Sequence, residues 1–235
     1  MIPPFLLGLT GKAGSGKDTI ADMLTNNRAL MFGSSIQLLH KEKITWNKKR
    51  GFAPIAVKKF GPAYHLALAD PLKLISSQVY NLNYDQVFGD KKEEKNWTGK
   101  TNREVMQAVG HTFRLIHQDT WTKLAEQNLQ KLASKFEKVR AFIITDIRYD
   151  NEAEMVKRLG GQIWSVVRPS LSLDTESQAW RNHPSEGGIS KDFVNRQITN
   201  DASLNVLYDR VTRSWYADFI EHINKYKNDR VGSKK

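Results

Sequence analysis

The chain has 235 residues and a formal net charge of +11 at neutral pH. This length predicts one large domain, or one domain with a sizeable insertion. The absence of cysteine excludes disulfides, thiolate zinc sites and a cysteine nucleophile. No apolar stretch approaches the roughly 18 residues of a membrane span, and no basic side chain precedes the apolar N-terminal run, as a signal peptide requires. We therefore expect a cytoplasmic protein with no membrane contact.

The positive charge is concentrated in two places. Residues 28–61 contain eight basic and one acidic side chain, and residues 222–235 contain five basic and one acidic. The remainder balances, with 23 basic and 23 acidic side chains. We interpret 28–61 as a basic insertion in an otherwise neutral body. Both segments are open to two interpretations, solvated surface or contact with phosphates or an acidic partner.

Along the chain, short apolar runs alternate with amphipathic helical patterns. The five runs predicted as buried strands are residues 5–10, 66–69, 142–146, 163–167 and 198–201. Helices are predicted from Lys17, after an N-cap at Asp70 with Pro71 as the first residue, and after the Thr101–Glu104 capping box. Further helices are predicted after a cap at Asp119, from about Asp150 to the glycines at 160–161, and over a last helix with Leu204 to Ile223 on its core side. Strands separated by helices predict an α/β fold, with a five-stranded parallel sheet covered by helices on both faces.

The turn after the first strand has the composition of a phosphate-binding loop. It reads G-x-x-x-x-G-K, a pattern in which glycines turn successive backbone N–H groups toward phosphate oxygens and the lysine adds a positive charge. Its position between a strand and a helix supports this interpretation. The loop residues are Gly11, Lys12, Ala13, Gly14, Ser15, Gly16 and Lys17.

The predicted helix that starts at Asn102 has a polar stripe. At 100° per residue, Arg103, Gln107, Gly110 and Arg114 share one face, opposite an apolar face. Guanidinium groups bind phosphate in a bidentate manner and a glutamine amide can contact a base edge. A solvent-facing polar surface is the alternative, and the periodicity by itself favours it.

Acidic and basic side chains follow two of the predicted strands. Asp146 ends the strand at 142–146, with Arg148 and Glu152 close behind, and Lys73 follows Asp70 and Pro71. Open α/β sheets bind ligands at the carboxyl ends of their strands. Asp146 is therefore a candidate partner of Mg²⁺ and ATP, whereas a helix cap is the alternative for an acid at this place. For Lys73, contact with a phosphate and a plain surface helix are equal alternatives.

These motifs together resemble the phage-type deoxynucleoside monophosphate kinases, P-loop NTPases related to the adenylate-kinase-like enzymes. The similarity rests on Gly-Lys-Asp-Thr at 16–19, on Asp-x-Arg-x-x-x-Glu at 146–152, and on Arg-x-x-x-Gln-x-x-Gly at 103–110 followed by Trp121. It extends from Phe5 to about Val211. The family commonly has Gly-Thr where this chain has Gly110-His111-Thr112.

The resemblance implies transfer of a phosphoryl group from ATP to a deoxynucleoside 5′-monophosphate, with Mg²⁺. It implies catalytic roles for Lys17, Asp146 and Arg148, and ATP binding by the loop with Asp18, Thr19 and Arg168. Metal contacts, partly through water, would come from Asp18, Thr19 and Asp146, and either Asp18 or Thr19 can take the place of the usual serine or threonine ligand. For Asp18, a charge at the helix N-terminus without a metal contact is an equal alternative. The implied acceptor-binding residues are Lys73, Arg103, Gln107, Gly110, Thr112, Arg114, Trp121, Asp146, Arg148 and Glu152. For Glu152, contact with the neighbouring arginines is the alternative.

The implied organisation is one P-loop kinase domain over residues 1–235. It would contain the basic insertion near 28–61, a helical acceptor-binding region near 71–139 and a lid loop near 168–195. The expected partners are nucleotides and not nucleic acid, and homodimer formation is left open. Two alternatives are another small-molecule P-loop kinase, similar to dephospho-coenzyme A kinases, and a nucleic-acid-dependent ATPase that uses the basic segment.

Overall fold

The computed structural model describes residues 3–25, 27–32, 35–40, 63–136, 138–171 and 187–232. The strands are β1 (Phe5–Thr10), β2 (Asn27–Phe32), β3 (Ser35–His40), β4 (Ala63–Leu66), β5 (Ala141–Ile144), β6 (Gln162–Val167) and β7 (Arg196–Thr199). The helices are α1 (Lys17–Leu24), α2 (Asp70–Tyr80), α3 (Tyr84–Val87), α4 (Asn102–Ile116), α5 (Thr120–Lys135), α6 (Asp150–Arg158) and α7 (Leu204–Gly232). Short 3₁₀ turns cover Lys91–Glu93 and Lys191–Phe193.

All seven strands form one sheet in the order β3-β2-β4-β5-β1-β6-β7. Every neighbouring pair is parallel except β2 and β3, which form an antiparallel hairpin. The five predicted parallel strands are thus confirmed, and the hairpin extends the sheet at one edge. It occupies the first part of the basic insertion predicted near 28–61. The rest of that insertion lies outside the described residues.

Helices cover both faces of the sheet, as the apolar runs predict. On one face α1 and α7 pack on the central strands, and Phe5, Trp164 and Trp215 are nearly inaccessible to solvent. On the other face α5 and α6 pack over β4, β5 and β6. A strand buried on both faces must be apolar throughout, and every residue of β1 is buried.

Helix α7 closes the first face through aromatic and charged contacts. The rings of Trp215 and Phe5 pack edge to face, with their centres 5.3 Å apart. Asp218, 2% exposed, accepts a hydrogen bond of 2.7 Å from Trp164 Nε1 and pairs with the guanidinium of Arg196. One carboxylate therefore ties the last helix to β6 and β7.

Three local predictions need correction. The second predicted strand ends at Leu66, because the chain turns at residues 67–69 so that backbone N–H groups there can bond to Asp146. Asp70 is consequently the first residue of α2 and not its cap. Asp119 is placed at the cap of α5, but its side chain accepts from Asn151 instead of capping the helix.

The predicted capping box at the start of α4 is present. The Thr101 side chain accepts from the Glu104 N–H, and the Glu104 side chain accepts from the Thr101 N–H. No helix among the described residues is long and apolar enough to cross a membrane. Most of the lid predicted near 168–195 lies outside the described residues.

Candidate active site

The loop between β1 and α1 has the backbone of a phosphate cradle. Gly11, Gly14 and Gly16 all have positive φ, between 77° and 136°, which only glycine adopts without strain. Lys17 Nζ donates to the carbonyl oxygens of Gly11 at 2.6 Å and Lys12 at 2.8 Å. The ammonium group is thereby held over the loop, where it can reach an anion bound there.

A residue from the far end of the chain supports this loop. Asn200, which follows β7, donates from Nδ2 to the Ser15 carbonyl at 2.9 Å. A Cβ on Gly16 would lie 2.5 Å from that same nitrogen. The Ser15 hydroxyl is buried and has no hydrogen-bond partner among the residues that the structure describes. No local pattern in the sequence indicates the contact of Asn200 with Ser15, because the two are 185 positions apart.

A cleft of about 410 Å³ opens beside the loop. One wall is formed by the loop and α1, the floor by the ends of β4 and β5, and the opposite wall by α2 and α4. The charged and amide side chains that line it are Lys17, Asp18, Lys73, Lys92, Arg103, Gln107, Arg114, Asp146, Arg148 and Glu152. The structure therefore brings the predicted loop lysine, strand-end acid and arginine stripe to one cavity.

Asp146 lies at the floor of this cleft. Its two carboxylate oxygens accept hydrogen bonds of 2.7 Å from the N–H groups of Leu68 and Ala69. Burial raises the pKa of the Asp146 carboxyl above its ordinary value, against the opposing effects of Lys73 and of those two N–H groups. The backbone contacts fix the orientation of the carboxylate and leave further lone pairs directed at the cavity.

Arg114 and Glu152 form a buried ion pair at one end of the cleft. Arg114 Nη2 donates to Glu152 Oε1 at 2.6 Å, and the guanidinium stacks 4.0 Å above the ring centre of Tyr149. Glu152 Oε2 accepts from the N–H groups of Arg148 at 2.8 Å and Tyr149 at 3.2 Å. Burial raises the Glu152 pKa to about 7, although Arg114 and the N–H groups favour the charged form.

The other end of the cleft combines cations with apolar side chains. Arg103 Nε donates to Glu93 at 2.5 Å, and Lys73 lies 3.5 Å from Asp70. The Lys73 ammonium is also 5.0 Å from the centre of the Phe88 ring. Six further side chains line the cleft that no pattern in the sequence indicates: Leu72, Phe88, Lys92, Met106, His111 and Tyr149. An apolar wall beside cations suits the base and phosphate of a nucleotide.

The polar stripe of α4 faces the cleft, but one neighbouring assignment is corrected. Arg103, Gln107, Gly110 and Arg114 all line the cavity. Thr112 is exposed outside it, and His111 lines it instead. One residue rotates a helix by 100°, so position 111 lies beside the stripe and position 112 is turned away.

Of the remaining predicted site residues, Trp121 and Gly110 lie at the cleft and Arg168 lies outside it. Trp121 is buried and borders the cleft, and its Nε1 donates to the Gly110 carbonyl at 3.0 Å, so it also joins α5 to α4. Gly110 allows α2 to approach, since a Cβ there would meet Leu72 at 3.3 Å. Arg168 is exposed outside the cleft, next to the undescribed segment, with Nε 3.3 Å from Ser170.

The side-chain oxygens available in the cleft determine how a divalent cation can bind. Asp18 is exposed on the cleft wall, whereas Thr19 is half-buried and outside the lining. Within the described residues no group of three acidic, histidine or cysteine side chains is placed to hold a metal ion. Two separate carboxylates suit Mg²⁺ that keeps several waters and is also bound by phosphates.

Comparison with known proteins shows the family of the chain. A family model described as deoxynucleotide monophosphate kinase matches residues 69–211, more than half of the chain. The matched range contains α2, α4, β5 and α6, which form most of the cleft.

Individual relatives agree with this match. A putative deoxynucleotide monophosphate kinase of Acanthamoeba polyphaga mimivirus is 26% identical over 235 residues, which covers 88% of this chain and 93% of the relative. The deoxynucleotide monophosphate kinase of Escherichia phage RB69 is 25% identical, with 88% and 98% covered. That of Enterobacteria phage T4 is 32% identical over 113 residues, with 46% and 43% covered.

Proposed function

Since the chain belongs to the deoxynucleotide monophosphate kinase family, we propose that its cleft transfers the γ-phosphoryl group of ATP to a deoxynucleoside 5′-monophosphate. Membership of a kinase family implies ATP as the co-substrate. One observation carries the assignment to this cleft: the phosphate loop and the arginines of α4 line the same cavity. A donor on the loop and an acceptor on α4 would therefore meet at its floor.

The chemistry needs positioning and charge stabilisation. The acceptor phosphate is already an anionic nucleophile, so no strong general base is required. The loop N–H groups and Lys17 would bind the β- and γ-phosphates, while Arg114 and Arg148 would bind the acceptor phosphate and stabilise charge on the transferred group. Gln107 and the apolar wall at Phe88 would contact the base.

We further propose that Mg²⁺ assists this transfer. Asp146 would orient it through water, and Asp18 would contact it directly or through water. When bound, the ion neutralises charge on the β- and γ-phosphates. The backbone N–H groups of Leu68 and Ala69 would hold the Asp146 carboxylate in the orientation that this role needs.

The proposed organisation is a single kinase domain over 1–235, with acceptor binding in the region 71–139. Residues 168–195 would act as the lid, with Arg168 at its start contacting ATP. A lid excludes water, which is a competing phosphoryl acceptor. The nucleotide substrates and the absence of a membrane-spanning helix in the described part of the chain are compatible with the cytoplasm of an infected host cell.

The test is ADP formation from ATP and Mg²⁺ with each deoxy- and ribonucleoside monophosphate. We expect turnover with at least one deoxynucleotide and a loss of at least about 100-fold for Lys17→Ala, since a charge that stabilises the transition state contributes at that level. Lys123→Ala, which changes an exposed lysine of α5 outside the cleft, is the matched control. Absence of turnover across the whole panel would refute the proposal.

A further inference from the structure

Glu152 lines the cleft, but its carboxylate is almost fully engaged in hydrogen bonds with other residues of the protein. Its side chain is 3% exposed. One carboxylate oxygen accepts from Arg114, and the other accepts from two successive backbone N–H groups, those of Arg148 and Tyr149. A carboxylate that accepts three hydrogen bonds from its own chain is a poor ligand for a nucleotide, and its charge would repel a phosphate.

The contacts of Glu152 connect two parts of the cleft that are distant in sequence. Arg114 belongs to α4, which forms the acceptor wall, whereas Arg148 and Tyr149 belong to the segment between β5 and α6. The Arg114 guanidinium is held on three sides: Glu152 at Nη2, the Gly110 carbonyl at 3.4 Å from Nη1, and the face of the Tyr149 ring. Such a group has little freedom left, so it presents its outer edge to the cavity in one orientation.

We propose that Glu152 is a positioning residue that fixes Arg114 and the Arg148 backbone in the geometry that binds the acceptor phosphate. This inference rests on the proposed function and assigns no contact between Glu152 and the nucleotide. Pre-organised arginines bind more tightly because less side-chain freedom is lost on binding. The effect of Glu152 should therefore be confined to the acceptor and should depend on Arg114.

The first measurement compares the two substrates in Glu152→Gln. An amide cannot accept at both of its terminal atoms, so it cannot bond to Arg114 and to the two N–H groups at once. We expect the KM of the acceptor to rise roughly ten- to a hundredfold, as charge-assisted hydrogen bonds contribute at that level. The KM of ATP should change less than about twofold. Equal rises in both KM values, or an unchanged acceptor KM, would overturn the proposal.

The second measurement is a double-mutant cycle. If Glu152 acts through Arg114, then Arg114→Ala combined with Glu152→Gln should raise the acceptor KM little beyond Arg114→Ala by itself. If Glu152 bound the nucleotide directly, the two effects would multiply, and that result would overturn the proposal. Glu152→Asp replaces the amide variant if the latter fails to fold, because it keeps the charge but shortens the reach.

A matched control tests whether any lost ion pair has the same effect. Glu126 pairs with Arg158 between α5 and α6, outside the cleft, so Glu126→Gln should leave both KM values unchanged. Binding of dGMP, dTMP, dAMP and dCMP to the wild type and Glu152→Gln, measured by calorimetry, separates this inference from the proposed function. Binding without turnover refutes only the kinase assignment, whereas failure of the wild type to bind any of the four refutes both.

Discussion

Position 16 accepts only glycine, for two independent reasons. Its φ is +105°, and an added Cβ would lie 2.5 Å from Asn200 Nδ2. Gly16→Ala should therefore displace either the loop or Asn200 and raise the KM of ATP at least about tenfold, since misplaced phosphate donors lose their alignment. Steady-state kinetics with varied ATP would measure this.

Gly99→Ala is the control for backbone strain by itself. Gly99 also has positive φ, +80°, but an added Cβ would meet nothing within 4 Å. We expect a loss of about 1 kcal/mol in the free energy of unfolding and an unchanged KM for ATP. Equal effects of the two substitutions on ATP binding would contradict the role given to the contact with Asn200.

The protonation of Glu152 should make stability depend on pH. Burial raises its pKa from 4.5 to about 7, so the folded state binds this proton more tightly than the unfolded chain. The resulting stabilisation is complete below about pH 4.5 and is lost as the pH rises through 7. Glu152→Gln does not ionise, so its stability relative to the wild type should improve between these values. Urea unfolding across this range measures the difference, and a pH-independent difference would contradict the prediction.

At the scale of single residues, periodic and local signals predict where a side chain lies. Helical period places Arg103 and Arg114 on one face, and the loop pattern locates Lys17. The stripe gives no reason to choose between adjacent positions 111 and 112, and Thr112 lies outside the cleft. The Arg114–Glu152 pair spans 38 residues, and its geometry depends on how α4 docks on the sheet, which no local pattern encodes.

Among the helices, α7 is attached to the sheet by apolar contacts and by one buried carboxylate. Asp218→Ala would leave Trp164 Nε1 without its acceptor and remove the partner of Arg196. We expect a loss of at least about 2 kcal/mol in the free energy of unfolding. Chemical denaturation measures it.

The control is a second Asp–Arg pair on the surface. Asp201 pairs with Arg210 at 2.5 Å, but both side chains are about 40% exposed. Asp201→Ala should therefore cost less than about 1 kcal/mol. A similar cost for the two substitutions would show that burial of Asp218 is not the source of its contribution.

Elements with strong local signals were predictable, whereas those that depend on distant partners were not. The capping box at Thr101 specifies the start of α4 by itself. The hairpin of β2 and β3 is attached through β4, whose Tyr64 pairs with Asn27, so its place in the sheet depends on a partner 37 positions away. The strand predicted at 66–69 stops at Leu66 because Asp146, which follows β5, accepts hydrogen bonds from the N–H groups of Leu68 and Ala69.

For the molecule as a whole, a single sheet supports the cores on both of its faces. We therefore expect one cooperative unfolding transition in calorimetry. ATP and the acceptor together should raise its midpoint more than either does separately, since both bind only the folded state. Lys17→Ala should remove the contribution of ATP and keep that of the acceptor. Two separate transitions would refute the single-domain organisation.

The position of β1 in the sheet determines when the cleft can form during synthesis. This strand is synthesised before its neighbours in the sheet, β5 and β6, and before α7, which covers it. The phosphate loop also needs Asn200, which follows Ser15 by 185 positions. A nascent chain that has not reached Asn200 therefore carries the complete loop sequence without the contacts that hold the loop in place. We expect nucleotide binding only after Asn200 and α7 have been synthesised, so a copy of the chain terminated before them would not bind nucleotides.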